Sequence, residues 1–484
     1  MNHQAAPASF LWHDYETTGT DPGRDRPLQF AAIRTDAALN LIGEPIMLYC
    51  KPPRDLLPHP MACLVTGISP QYADAHGLNE AAFVAAIAAE MMQSGTCSVG
   101  YNSIRFDDEF TRYSLYRNFY DPYEREWKNG NSRWDLIDVV RLCALVKPQG
   151  IAWPKDDEGF ASFRLEALTA ANGIEQQGAH DALVDVRATI DLARLVREQQ
   201  PKLFDYALSL RNKQVAARAL ALGSGKPLLH VSGMFGNRHG CASLILPLCM
   251  HPVNKNAVVC VDLRYAPDEL LSLPADEIRQ RLYTSQAQLE ADGHQRIALK
   301  NVHLNKSPML VPVAMVTDEV AARAGLDLPT VRRHYDQLIA SSGLAEKLQQ
   351  VFSADLSASR PVQDVDLQLY DGFFPDADKV VMREIRHSSP QQLAGSGFMF
   401  QDSRLGEMLF RYRARNWPES LDAEETQRWL VHCRQRLTDP ATAAGITLDA
   451  YLQQLESLYE LYQEDAGKLA ILEQLMDWPE QLLG

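Results

Sequence analysis

The stretch Ser9-Phe10-Leu11-Trp12-His13-Asp14-Tyr15-Glu16-Thr17-Thr18-Gly19-Thr20 decides how the first part of the chain is read. An apolar entry, Phe10-Leu11-Trp12, runs straight into two carboxylates one residue apart. Such a run reads as a buried strand. Residues two apart on a strand project from the same face, so Asp14 and Glu16 point together while Tyr15 points away. Two like charges held that close repel. Unless one takes up a proton, a divalent cation must neutralise them, and an all-oxygen ligand set favours Mg²⁺ or Mn²⁺ over zinc. The plainer reading is a strand end with two solvated acids, so the pair gains meaning only from acids elsewhere.

Outward from that strand, Pro27-Leu28-Gln29-Phe30-Ala31-Ala32-Ile33-Arg34 and Glu44-Pro45-Ile46-Met47-Leu48-Tyr49-Cys50 read as two more strands of an antiparallel meander. Thr66-Gly67-Ile68-Ser69-Pro70 reads as a turn, and Asn79 as the cap of a helix reaching about Met92, with Phe83, Ile87 and Met91 at helical spacing. Cys97-Ser98-Val99-Gly100-Tyr101 is a short strand entering Asn102-Ser103-Ile104-Arg105-Phe106-Asp107. Strand followed by helix signals an α/β sheet with its sites beyond the strand ends, so Asp107 is expected near Asp14 and Glu16. Its plainer role is a helix N-terminal acid facing the dipole, worth about 0.3–1 kcal/mol. Phe163-Arg164-Leu165 begins a helix, and Ala179-His180-Asp181-Ala182-Leu183-Val184-Asp185 begins another running to about Arg197. Asp181 is a good N-cap, His180 precedes it on the loop, and Asp185 sits one turn in, able to face the same pocket.

The whole chain bounds these readings. Its 484 residues suggest about three domains. Hydrophobic content of 46% and charged content of 23% are those of a soluble globular protein. No apolar run approaches membrane-spanning length, and Met1-Asn2-His3-Gln4 lacks the start of a signal peptide, so a cytoplasmic protein with no membrane association is expected. The eight cysteines form no Cys-x-x-Cys pair and read as reduced thiols. A net charge of −15 argues against indiscriminate coating of nucleic acid, while leaving room for a local basic groove.

Taken in order, Asp14-x-Glu16, Asn102-x-x-x-Phe106-Asp107 and His180-x-x-x-x-Asp185 resemble the DEDD exonuclease superfamily, in the subclass whose last motif carries histidine. The flanking segments Trp12-His13-Asp14-Tyr15-Glu16-Thr17, Arg117-Asn118-Phe119-Tyr120-Asp121-Pro122-Tyr123, Asn131-Ser132-Arg133-Trp134-Asp135 and Ser162-Phe163-Arg164-Leu165-Glu166 are similar to the bacterial exodeoxyribonuclease I family. The likeness continues through His230-Val231-Ser232-Gly233-Met234-Phe235, Asp366-Leu367-Gln368-Leu369-Tyr370-Asp371-Gly372-Phe373-Phe374 and Tyr412-Arg413-Ala414-Arg415-Asn416. It implies an α/β ribonuclease H-like nuclease domain with a mixed sheet over 9–197, an SH3-like β-containing domain over 202–355 and an α-helical C-terminal domain over 358–484. Periodicity alone supports β-containing then α, with Ser357-Ala358-Ser359-Arg360-Pro361 as the boundary.

The chemistry that follows is a 3′→5′ exodeoxyribonuclease releasing 5′-mononucleotides from single-stranded DNA. Asp14, Glu16, Asp107 and Asp185 would hold two Mg²⁺ ions, with Mn²⁺ as a substitute and Asp14 as the bridge. His180, whose ordinary pKa lies near 6.5, suits removal of a proton from the attacking water. Glu16 and Arg164 would contact the substrate, and Arg112, Tyr123 and Trp127 offer a cation and stacking faces, with core packing as their plainer role. The resemblance adds Arg141, Asn256, Lys300, His303, Asp366 and Tyr370 further along the strand. It also implies a monomer, DNA repair and recombination, and binding of the acidic C-terminal tail of single-strand DNA-binding protein. The rivals are an RNA-trimming exoribonuclease of the same superfamily and a non-catalytic single-strand-binding scaffold.

Overall fold

The order of pairing around the opening stretch explains where its acids lie. The structure is a computed structural model that describes residues 7–175, 181–353, 364–395, 397–442 and 445–483. Within them, contacts separate two units. The first contains 7–132, 181–190 and 364–483; the second contains 133–175 and 191–353. His180 and the Ser357–Pro361 boundary lie outside the described residues.

In the first unit β1 (Ser9–Thr17) pairs antiparallel with β2 (Pro27–Thr35), and β2 with β3 (Leu41–Tyr49). On its other side β1 pairs in parallel with β4 (Thr96–Gly100), which makes the sheet mixed, as expected. Phe10, Leu11 and Trp12 are fully buried, the mark of a strand covered on both faces. Asn79 accepts from the amide of Ala82 and caps the helix Glu80–Met91, whose Phe83, Val84, Ile87 and Met91 pack on Leu11, Tyr15 and Phe30. The Thr66–Pro70 turn joins two short helices, Pro60–Thr66 and Pro70–His76, which sequence reading did not see. Gly67 ends the first at φ 71°, a conformation that glycine adopts without strain.

The helical C-terminal residues complete this unit. Ala81, Tyr116 and Phe119 share one core with Leu369, Met382, Ile385, Leu405 and Tyr412. Leu57, Cys63 and Leu64 share another with Tyr451, Leu455, Leu458, Leu472 and Trp478. Between the segments lies a buried charge network. Arg415 reaches Asp55 at 2.7 Å and Asp366 at 2.5 Å; Arg26 meets Asp366 at 3.3 Å, and Arg436 meets Asp55 at 3.1 Å. Burial alone would raise Asp55 and Asp366, but Arg415 and the neighbouring arginines hold both well below the usual carboxylate range. Asp366, which the resemblance assigns to the DNA strand, is 2% exposed inside this network, with its carboxylate engaged by Arg26 and Arg415.

In the second unit, β5 (Ser132–Asp135) precedes the helix Leu136–Val146, which Asp135 caps by accepting from the Ile137 amide. The antiparallel sheet has the order β10-β6-β7-β8-β9, with β6 Leu228–Val231, β7 Ala242–Met250, β8 Ala257–Asp262, β9 Leu299–His303 and β10 Met309–Pro312. Its core gathers Leu228, Ile245, Val258, Cys260, Val302 and Leu310 under Ala216 and Leu220 of the helix Lys213–Leu220. All eight cysteines are free and buried.

Replacing Arg415 with Met leaves Asp55 and Asp366 buried without their main counter-ion, at a cost of about 3–5 kcal/mol. Thermal and urea unfolding of the variant will show it; a midpoint equal to the parent's would contradict this view of the network. A chain ending at Arg197 would expose both shared cores, and it is expected to aggregate or to lack fixed tertiary structure by near-ultraviolet circular dichroism.

Candidate active site

Asp14 and Glu16 occupy the last part of β1, opposite Ala31 and Gln29 of β2, and the register slips between Glu16 and Thr17. Such an irregularity at a strand end re-aims side chains. Tyr15 points the other way, into the core against Phe30, and its hydroxyl accepts from Thr111. After β4 the chain makes a tight turn through Asn102 at φ 66°. Gly100 permits it, because a Cβ there would lie 2.9 Å from the carbonyl oxygen of His13 and 2.7 Å from Ser103. The turn delivers Asp107 to the first position of the helix Asp107–Arg117, where its Oδ1 accepts from the Tyr15 amide at 3.1 Å. Asp181 caps the helix Ala182–Gln199 by accepting from the Leu183 amide, and Asp185 follows in its first turn.

Carboxylate oxygens of Asp14, Glu16 and Asp185 lie within 4.8 Å of one another, an arrangement able to hold a metal ion. Asp107 stands outside that group, clipped to the backbone between the two β1 acids. Burial first, and then the Asp185 charge, pushes Asp14 up to about 8. Burial, followed by Asp14, Asp185 and Asp181, pushes Glu16 up to about 9. The donor set is all oxygen, the chemistry of a hard divalent cation.

The remaining candidates divide by environment. Arg164 is exposed and its guanidinium has no hydrogen bond or ion pair among the described residues. Arg112 is not a bare cation: it is 5% exposed, forks onto Glu126 at 2.7 and 3.0 Å, and pairs with Glu109 at 2.7 Å. Its guanidinium also covers the Tyr123 ring and donates to the Tyr370 hydroxyl at 3.3 Å, so it fixes these two aromatics. Trp127 and Tyr370 are exposed at 65% and 53%. In the second unit Arg141 pairs with Asp138, Asn256 accepts from Lys213, and Lys300 lies over Phe235. His303 is lowered to about 4 by burial and then by Lys306, Lys300 and His251. Sequence reading missed the buried Asp108–Arg125 pair at 2.5 Å, which ties the Tyr123–Trp127 segment to the helix bearing Asp107. The run Asp107-Asp108-Glu109 was its only signal.

Comparison with known proteins sets this geometry in a family. Residues 11–193 match the description "Exonuclease", 211–354 "Exonuclease I SH3-like domain" and 363–482 "Exonuclease I C-terminal domain". Exodeoxyribonuclease I of Escherichia coli (strain K12) is 46% identical over 483 residues, covering all of both chains. The chain belongs to the exodeoxyribonuclease I family. E. coli exonuclease I in complex with a dA16 oligonucleotide superposes with a TM-score of 0.93 at 46% identity, over 98% of this chain and 100% of that one. An SSB/exonuclease I structure with the inhibitor CFAM gives 0.91 at 44% identity, over 98% and 100%. This member of the family is accordingly a 3′→5′ exonuclease of single-stranded DNA with a ribonuclease H-like nuclease domain, an SH3-like domain and a helical C-terminal domain, and it depends on a divalent metal.

Raised carboxylates carry a definite sign. In the metal-free chain the protonated forms of Asp14 and Glu16 are favoured, so their contribution to stability is fullest below the ordinary carboxylate value. It is lost as pH rises through about 8 and 9. A bound cation needs the ionised forms and must displace protons at lower pH. The gain in melting temperature on adding Mg²⁺ is therefore expected to be larger at about pH 9 than at about pH 6. Equal gains in scanning fluorimetry would count against these acids as its ligands.

Proposed function

We propose that Asp14, Glu16, Asp107 and Asp185 hold two Mg²⁺ ions, with Mn²⁺ as a substitute, and that the chain removes 5′-mononucleotides one at a time from the 3′ end of single-stranded DNA. The observation that carries the reading is the convergence of Asp14, Glu16 and Asp185 within 4.8 Å, with Asp107 held at the same strand end. When bound, the ions neutralise the phosphodiester, ready a water for attack and stabilise the departing 3′ oxygen. The protein's own groups do the rest. Asp14, which lies with both Glu16 and Asp185, would be the ligand shared by the ions, and Glu16 would also meet the terminal nucleotide. His180, next to the helix cap, takes the proton of the attacking water. The free guanidinium of Arg164 grips a phosphate with two parallel donors. Trp127, Tyr123 and Tyr370 stack bases, the last two steadied by Arg112. Arg141, Asn256, Lys300 and His303 extend the strand's track.

The three-part division 9–197, 202–355 and 358–484 is kept as the functional one. The family points to a monomer working in the cytoplasm in DNA repair and recombination, with the acidic tail of single-strand DNA-binding protein as partner. No described helix is long and apolar enough to cross a membrane.

Nucleotide release from 3′- and 5′-labelled single strands of DNA and RNA tests the reading. Mononucleotides released first from the 3′ label of DNA are expected, while equal rates on RNA would favour the exoribonuclease rival. Asp185→Asn is expected to abolish turnover with strand binding retained. His180→Ala should lower the rate by about 10²–10⁴, and a rate within about threefold of the parent's would remove His180 from the mechanism.

A further inference from the structure

One face of the first sheet carries a row of side chains that leads away from the acids. Directly opposed residues on neighbouring strands share a face, and the register sets Glu16 against Gln29 and Gln29 against Tyr49. Gln29 donates through Nε2 to the Tyr49 hydroxyl at 3.0 Å. Tyr49 packs with Ile68 and Ala73, and so meets the helix Pro70–His76. On that helix Tyr72 meets the Tyr49 ring edge to face at 5.3 Å and stacks with His76 at 4.2 Å. Ser69 caps the helix by accepting from the Tyr72 amide, and Gln71 donates to the Gln474 carbonyl, so the two rings stand on a braced support. They are not core: Tyr72 is 45% exposed, and His76 is exposed as well. Burial, then Tyr72 and finally Asp181 raise the Tyr49 hydroxyl; Asp181, next to His180 in the sequence, also raises Glu16 after burial, Asp14 and Asp185. One charge thus reaches both ends of the row.

We infer that the stacked rings of Tyr72 and His76 receive the base of the 3′-terminal nucleotide, the one about to be released. The inference rests on the exonuclease reading and deepens it. The sheet order β3-β2-β1-β4 puts Tyr49 on one side of β1 and the helix Asp107–Arg117, which follows β4, on the other. Arg112 of that helix steadies Tyr123 and Tyr370. A strand that comes in over those two rings and is cut at the acids has its last nucleotide beyond the acids, on the β3 side. Two strand spacings, about 10 Å, separate the Tyr49 backbone from that of Glu16, a span that one nucleotide covers from its phosphate to the far edge of its base. Stacking asks only for a flat ring, so such a platform accepts all four bases.

The test compares Tyr72→Ala and Tyr72→Phe with the parent in the full chain, on two oligonucleotides that differ only in whether the 3′-terminal residue carries its base or is abasic. Single-turnover removal of that residue is followed across enzyme concentration. On the base-bearing strand, Tyr72→Ala is expected to lower the ratio of maximal rate to half-saturating concentration about tenfold, as loss of one stacked base does, and Tyr72→Phe to restore it. On the abasic strand the parent itself should fall by a similar factor and coincide with Tyr72→Ala. Parent-like behaviour of Tyr72→Ala on the base-bearing strand would overturn the proposal. So would an equal loss on both strands, the mark of a purely structural role. Metal-dependent release of mononucleotides from the base-bearing strand by the parent checks the exonuclease reading separately, so either can fail while the other stands.

Discussion

Like charge gathered at the end of a buried strand is the constraint on which the site depends. β1 is covered on both faces, so its carboxylates are carried to a place where water screens them poorly, and Asp185 meets them there. Among the described residues neither Asp14 nor Glu16 has a lysine or arginine in an ion pair. Their strongly raised pKa values measure what that costs the metal-free chain, and a dication is the group that removes the cost. Gly100 and the Tyr15 amide, which fix Asp107, belong to the same arrangement because they set how closely the acids can approach.

The same unit handles buried charge in the opposite way a short distance along the sequence. Asp55, Asp364 and Asp366 are matched by Arg26, Arg411, Arg415 and Arg436, and these aspartates stay ionised. One group of acids is compensated by the protein and is structural; the other is left for a ligand to compensate. Direction of pKa shift separates the two, upward at Asp14 and Glu16 and downward at Asp55, Asp364 and Asp366.

Much of the site was legible because its logic is local. A period of two places Asp14 with Glu16, a strand-to-helix switch places Asp107, and one helical turn places Asp185, all readable from neighbouring residues. The burial of Asp366 was not, because its arginine partners are far away in sequence, and nothing near Asp366 announces them. The pairing of Arg112 was hidden for a related reason: Glu109 lies one helical turn away, but Glu126 comes from a separate segment. The strand β7 was missed because Ala242–Met250 is an apolar run without alternation, which a buried helix would also show. The two short helices at Pro60 and Pro70 are below the length at which periodicity speaks.

Cutting and holding a polyanion place opposite demands on charge. A phosphate nearing Asp14, Glu16 and Asp185 meets like charge until metal is bound, and the chain's net −15 adds to the repulsion. Attraction must therefore come from surfaces whose cations are not already taken by protein carboxylates. In the first unit the buried Arg26, Arg112, Arg411 and Arg415 are all taken. In the second unit Arg164 has no ion pair among the described residues, and carbonyl oxygens rather than carboxylates hold the guanidiniums of Arg264 and Arg296.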